Sequence, residues 1–243
     1  MLKEIRFGQE DILYITDQEE TYAVLKKEGR YVLPYYHEGN RGAAFPGAVY
    51  AVECLEEVEE ASLEMVYRRL AGLPWDILQT ERCLIRETTV EDVDSFYRLY
   101  KEPSITEYME PLFEDRDEEI AYTKNYIEKV YGFYGYGMWT VLEKNSGEVI
   151  GRAGISWREG YELPELGFVI GVPWQKQGYA FEVCTAILAY AETELLMEQV
   201  QALVQPGNTI SLNLCDKLGF TFAGETMLDG EKHFLLTKDL QRE

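Results

Sequence analysis

The stretch from Glu165 to Glu182 (ELGFVIGVPWQKQGYAFE) constrains this chain more than any other, because it sets a strand, a forced turn and a helix start in immediate succession. Leu166 to Val172 is a run of branched and aromatic residues, the signature of a strand, and Pro173 cannot continue a ladder. From Gly178 the apolar positions Phe181, Val183, Cys184, Ile187, Leu188, Ala191, Leu195 and Leu196 recur at helical spacing, so Gln175 to Ala180 (QKQGYA) is the loop that opens a long helix. The first N–H groups of such a helix have no internal partner and carry partial positive charge. Gly178 in addition lets the backbone approach a ligand with no Cβ in the way. The combination suits a pyrophosphate, and plain turn chemistry at a loop–helix junction is the competing reading.

A second strand follows from Gln199 (QVQALVQ), then Pro206-Gly207, then Asn208 to Phe220 (NTISLNLCDKLGF). The ordered pattern Q-x-x-G-x-A after one strand and N-x-x-S-x-x-L-x-x-K-L-G-F after the next resembles the GCN5-related N-acetyltransferases. Within them it is most similar to the branch that acetylates ribosomal-protein N-termini, and the resemblance runs from Glu81 to the C-terminus. It implies an α/β fold with a mixed central sheet flanked by helices. It also implies transfer of an acetyl group from acetyl-CoA, the co-substrate, to a primary amine by direct attack in a ternary complex. By the same resemblance, backbone groups of Phe168, Val169 and Ile170 pair with the pantetheine arm. The loop from Gln175 through Lys176, Gln177, Gly178, Tyr179, Ala180 and Phe181 holds the pyrophosphate, with Lys176 as its cationic side chain. Asn208 and Ser211 contact the coenzyme, Asn208 being also a helix cap. An N–H near Val169 or Ile170 polarises the thioester carbonyl, a donor whose loss costs on the order of 3 kcal/mol.

Acid–base chemistry is carried by fewer residues. Glu165, at the start of the strand, is positioned to take the amine proton through a water if burial tunes it, an exposed strand-end acid being the alternative. The position on the next strand where some relatives carry a glutamate is Leu203. Where many carry a tyrosine as the acid for the leaving thiolate, this chain has Cys215, either a thiol acid or a small core residue with water in the acid's place. These departures equally suit a regulatory module that binds or senses acetyl-CoA without turning it over.

The formal net charge of -21 disfavours nucleic acid and anionic membrane surfaces and favours a cationic or amine partner, whether small molecule or peptide. The start carries no apolar signal, and no apolar run approaches the roughly 20 residues that span a bilayer, which places the chain in the cytoplasm. Cys54, Cys83, Cys184 and Cys215 show no C-x-x-C spacing, and with only His37 and His233 no metal site is expected. The oligomeric state, monomer or homodimer, stays open.

Residues 1–78 form a small Rossmann-like α/β unit: strands at Ile12–Ile15, Tyr31–Tyr36 and Val49–Val52, helices at Gln18–Glu28 and Val58–Leu70, and a parallel, doubly wound sheet. This part resembles the closing fragment of a haloacid-dehalogenase-type hydrolase, with Asp17 at its acidic position. It lacks D-x-D-x-T and has Gln18 where serine is common, so it reads as non-catalytic. His37 to Gly42 (HEGNRG) is its candidate ligand loop, or a plain one. Gly72-Leu73-Pro74-Trp75 breaks the chain, and residues 79–243 are the acetyltransferase-like domain. That domain starts with a strand at Cys83, a helix through Tyr100 and a helix from Asp115 to Tyr131. The loop from Pro103 to Phe113 carries Glu107 and Glu110 to attract an amine, or merely to be solvated. Aromatics of Tyr131 to Met138 wall an acceptor pocket or fill the core. A hairpin of Trp139–Glu143 and Val149–Trp157 turns at Asn145-Ser146-Gly147.

Overall fold

In the structure, a computed structural model that describes residues 1–241, the chain divides between Trp75 and Asp76. The N-terminal unit is built on β2 (Ile12–Thr16), whose Leu13 and Ile15 are wholly buried among Leu33, Leu63 and Tyr67. Its sheet has the order β1 (Leu2–Arg6), β2, β3 (Tyr31–Pro34), flanked by α1 (Glu19–Lys27) and α2 (Glu60–Leu70). The expected all-parallel sheet is corrected to a mixed one: β2 and β3 are parallel, but β1 runs antiparallel to β2. The expected strand at Val49–Val52 shrinks to one parallel bridge, Tyr35 to Val52, since the chain has just turned through Pro46 and left-handed Gly47 and reaches the sheet only there. The His37 loop is held by its own hydrogen bonds. Asn40 accepts from His37 N–H at 2.7 Å and donates to the Tyr35 carbonyl at 2.8 Å, and His37 Nε2 meets Asp17 at 3.2 Å.

The second unit carries an eight-stranded sheet. In chain order its elements are β4 (Asp76–Gln79), β5 (Cys83–Arg86), α3 (Val93–Tyr100), α4 (Pro103–Thr106), α5 (Arg116–Tyr126), α6 (Gly132–Tyr134), β6 (Met138–Glu143), β7 (Val149–Ser156), β8 (Glu165–Ile170), α7 (Tyr179–Thr193), β9 (Gln199–Val204), α8 (Thr209–Lys217), β10 (Thr221–Leu228) and β11 (Glu231–Asp239). The sheet order is β10-β11-β9-β8-β7-β6-β5-β4. Because β4 pairs with β5, the unit begins at Asp76, three residues before the expected boundary at 79.

One face of the sheet is covered by α7, whose buried stripe is Tyr179, Val183, Cys184, Ile187, Leu188 and Ala191. The helix stops at Thr193, and Phe181 and Leu196, read from sequence as part of the apolar face, are 44% and 77% exposed. On the opposite face α3 lays Phe96 against the guanidinium of Arg152 in β7, at 4.6 Å. The helix expected from Asp115 to Tyr131 is interrupted by a π-helical segment at Ile127–Tyr131 before its last turn, α6. The wider turn brings residues five apart into phase, so that Tyr126 and Tyr131 both point inward with rings 5.5 Å apart. Tyr126 then accepts from the Met138 N–H at 2.7 Å and Tyr131 donates to the Met138 carbonyl at 2.5 Å, which fixes where β6 begins. Among the described residues no helix is long and apolar enough to cross a membrane.

Candidate active site

Strand β8 has one complete edge and one open edge. Towards β7 it is paired along its whole length, Gly151 opposite Ile170 through Ser156 opposite Glu165. Towards β9 the parallel ladder has a single pair, Glu165 with Gln201, supported by a bond from the Gln201 N–H to the Pro164 carbonyl at 2.8 Å. Beyond that pair the two strands part. The direction of the free groups follows from alternation along the strand. The Gly171 N–H is spent on the Ile150 carbonyl at 2.8 Å, so every second residue back along β8, Val169 first, also faces β7. Phe168 and Ile170 therefore turn their N–H and C=O groups into the gap. The Ile170 carbonyl is met there by Gln175 Nε2 at 2.8 Å. The backbone role expected of Val169 is thereby corrected: its polar groups lie in the ladder with Arg152.

At the end of β8 a short 3₁₀ turn, Val172–Trp174, leads through Gln175 to Lys176 and Gly178, both left-handed with φ of 61° and 86°. Gly178 caps α7, and the first intrahelical bond runs from the Glu182 N–H to the Gly178 carbonyl at 3.0 Å. The N–H groups of Tyr179, Ala180 and Phe181 thus point out of the helix start. Lys176, Gln177 and Gly178 are exposed beside them, while the Tyr179 ring turns inward, its hydroxyl 3.4 Å from Glu143.

The loop has a second cation that sequence reading missed. Arg82, from the turn between β4 and β5, donates through Nε to Glu182 at 2.7 Å and through a guanidinium N–H to the Gln177 carbonyl at 3.0 Å. Its guanidinium lies 4.0 Å from the centre of the Tyr179 ring. Arg82 and Glu182 are 100 residues apart, and no local pattern announces such a pair. Burial opposes the charge of Glu182, but hydrogen bonds from Thr80 and from the backbone and side chain of Arg82 hold its pKa below the usual carboxylate range.

The acid–base candidates separate clearly. Glu165 is 8% exposed, and its Oε2 accepts from Arg158 Nε at 2.5 Å. Burial works against the charge of Arg158, yet its hydrogen bond to Glu165 and the fields of Glu165, Glu110 and Asp229 raise its pKa. Cys215 has no exposed surface and packs in the main core beside α7; burial pushes its thiol up to about 11. Of its two sequence readings, geometry therefore matches the small core residue: a thiol sealed in the core has no path to a leaving group. Asn208 caps α8 by accepting from the Ser211 N–H at 3.1 Å. Glu107 and Glu110 are exposed, and Tyr108 between them donates to the Gly207 carbonyl at 3.2 Å. Within the aromatic run Tyr131 is core, while Phe133 is 81% exposed and Tyr136 accepts from Trp157 at 2.5 Å near the surface.

The donor set fits an elongated ligand with an amide-bearing arm and a pyrophosphate. Backbone groups of Phe168 and Ile170 line the gap, and a helix start flanked by Lys176 and Arg82 lies at its end.

Comparison with known proteins points the same way. Residues 82–221 match the family model described as acetyltransferase (GNAT) domain. The chain is 27% identical over 154 residues to an uncharacterized N-acetyltransferase, p20, of Bacillus licheniformis, covering 61% of this chain and 84% of that protein. To the ribosomal protein uS5-alanine N-acetyltransferase of Escherichia coli it is 27% identical over 176 residues, covering 66% of this chain and 88% of that one. The crystal structure of a GNAT-family acetyltransferase from Bacillus anthracis superposes with a TM-score of 0.58 at 20% identity, covering 67% of this chain and 98% of the other. The N-terminal unit lies outside the matched residues.

Proposed function

Because the chain belongs to the acetyltransferase (GNAT) domain family and is an acetyl-CoA-dependent N-acetyltransferase, we propose that a primary amine attacks the acetyl group directly, in a ternary complex seated in the gap between β8 and β9. The single observation that carries this reading is the arrest of the β8–β9 ladder after one residue pair, which leaves the backbone of Phe168 and the N–H of Ile170 unpaired by β9 at that edge. Bound acetyl-CoA supplies the activated acetyl thioester. Phe168 and Ile170 hold its pantetheine arm, and the Ile170 N–H is the donor to the thioester carbonyl. The N–H groups from Gly178 to Phe181, with Lys176 and Arg82, hold the pyrophosphate, and Gln175, Gln177, Asn208 and Ser211 shape the loops around it.

Glu165 is the base. Of the ammonium's three protons, one stays on the amide nitrogen, one passes to Glu165 and one ends on the coenzyme thiol as the C–N bond forms and the C–S bond breaks. With Cys215 in the core, that last proton comes through solvent. The acceptor class is a cationic amine, since Glu110 and Asp229 lie near enough to act on Arg158, the partner of Glu165, on a chain of net charge -21. A protein or peptide N-terminus is the acceptor suggested by similarity to the uS5-alanine enzyme. The N-terminal unit we read as a non-catalytic, Rossmann-like hydrolase fragment, a reading favoured by Asp17 being engaged by His37.

The test is thermal unfolding with and without acetyl-CoA, followed by thiol release with an alanine-initiated peptide, spermidine, free amino acids and an aminoglycoside. Acetyl-CoA at about a hundredfold over its dissociation constant stabilises the native state by about 2.7 kcal/mol, a shift of several degrees. Thiol release rises with at least one amine. No shift at millimolar acetyl-CoA overturns the site. A shift without release from any amine leaves a coenzyme-sensing module in its place, the reading that the arginine-bound Glu165 and the buried Cys215 would then favour.

A further inference from the structure

The last residue pair before the strands part contains a side chain that neither the fold nor the acetyl transfer has used. Gln201 is 2% exposed, and its Nε2 is buried with no hydrogen-bond partner. Buried polar groups are nearly always bonded, and an orphan marks a water, a ligand or a catalytic role. Gln201 is the register partner of Glu165 across the only β8–β9 pair among the described residues. Strands lie about 4.8 Å apart, and residues opposite each other in a ladder project to the same face. The orphan amide therefore stands beside the candidate base, at the point where the gap begins.

Glu165 is half used. Its Oε2 is taken by Arg158 at 2.5 Å, and Oε1 bonds no described residue. A free carboxylate oxygen and an unpartnered amide on one face, with a third bond left for an incoming group, meet the requirement of an ordered water for several polar partners. Neither residue alone does so. Leu203, next along that face of β9, bars further polar partners from that side.

We propose that Gln201 is a positioning residue: together with Oε1 of Glu165 it holds the water through which the acceptor's ammonium gives up its proton. The water donates one hydrogen to Oε1 and accepts from Nε2 of Gln201, so its remaining lone pair faces the gap. A proton taken from the ammonium on that side is matched by one delivered to Glu165, and the water is left unchanged. Arg158 holds the other oxygen and fixes the orientation of the carboxylate. The inference rests on the proposed acetyl transfer with Glu165 as base.

The test is Gln201→Met, which keeps the volume and removes the amide, with Gln201→Leu as a second variant should the first fail to fold. Thermal midpoint, kcat and KM for acetyl-CoA are measured with the best amine of the panel. The expected result separates stability from turnover: the midpoint does not fall, because methionine fills the same volume and the water held by the amide leaves with it. At the same time kcat falls about tenfold, and KM for acetyl-CoA stays within twofold. A purely structural glutamine cannot give that pair of changes. A variant whose kcat stays within twofold of wild type overturns the role of Gln201 and leaves the acetyl transfer standing. A fall of kcat accompanied by a fall of the midpoint also overturns it, since the loss is then one of packing. If wild-type protein turns over no amine, the transfer reading fails and the inference falls with it.

Discussion

Strand β9 has two neighbours and treats them differently. Against β11 it is paired from Gln199 to Val204 without a break, antiparallel, with Val200, Ala202 and Val204 buried beneath. Against β8 it is paired once. The same six residues supply both edges, so strand propensity cannot explain the difference. What differs is the pairing: β11 runs antiparallel to β9, whereas β8 runs parallel to it and reaches it only through the α7 crossover. The lesson is that this sheet keeps its hydrogen bonds internal where it serves stability and leaves them unmade where a ligand can complete them.

The comparison is broken most severely at the hinge pair itself. Glu165→Gln keeps the size and the ladder but removes the proposed base, and should lower kcat about 10²- to 10⁴-fold. The acetyl-CoA-induced rise in the thermal midpoint should remain that of wild type, because the gap and the α7 start are untouched. Equal turnover by wild type and variant would remove Glu165 from the mechanism. On the closed side the opposite pattern is expected. Leu236, 7% exposed and paired with Ala202, packs in the main core. Leu236→Ala should cost about 2–5 kcal/mol in chemical denaturation. The folded fraction should keep its coenzyme-induced shift, and loss of that shift would mean that the two edges of β9 are not independent.

Legibility in the sequence followed the same division. The segment from Glu165 to Glu182 announced itself because proline, glycine and apolar period act locally: β8, the turn at Pro173 and the helix after Gly178 all stand where those signals put them, to within a few residues. The orientation of backbone groups did not announce itself. Whether Val169 or Ile170 faces the gap depends on the register with β7, a non-local property, and a slip of one residue inverts the answer. Arg82 was missed for a related reason, since an ion pair made 100 residues apart leaves no spacing to read, whereas Arg158, seven residues before Glu165 across the β7–β8 connection, was within reach of a local reading. Other omissions did carry a signal. Asp229-Gly230, with φ of 52° and 82°, is the two-residue turn of the β10–β11 hairpin, and D-G between alternating strands is readable. Gln201 was unreadable as a site residue, because a glutamine in a strand looks like any solvent-facing polar position until its burial is known.

The smallest expected effect sharpens the comparison at the far end of the open edge, where Glu182 ties the start of α7 to Arg82. Both oxygens are used, Oε1 by the Arg82 N–H at 2.8 Å and Oε2 by its Nε at 2.7 Å. The carboxylate's pKa is lowered in the folded protein, so its contribution to stability is present above the unfolded carboxylate value and is lost as pH falls through the lower, folded one. Glu182→Gln should therefore be less stable than wild type at neutral pH by about 1–2 kcal/mol, since a bond to a charged group becomes a neutral one. The two unfolding curves should converge as pH is lowered through the carboxylate range, because wild type then loses what the variant never had. A deficit that persists undiminished in acid would mean that the side chain acts by packing and not by charge. Turnover at neutral pH should change far less than in Glu165→Gln, because the role proposed for the α7 start is to hold the coenzyme's phosphates and not to move the amine's proton.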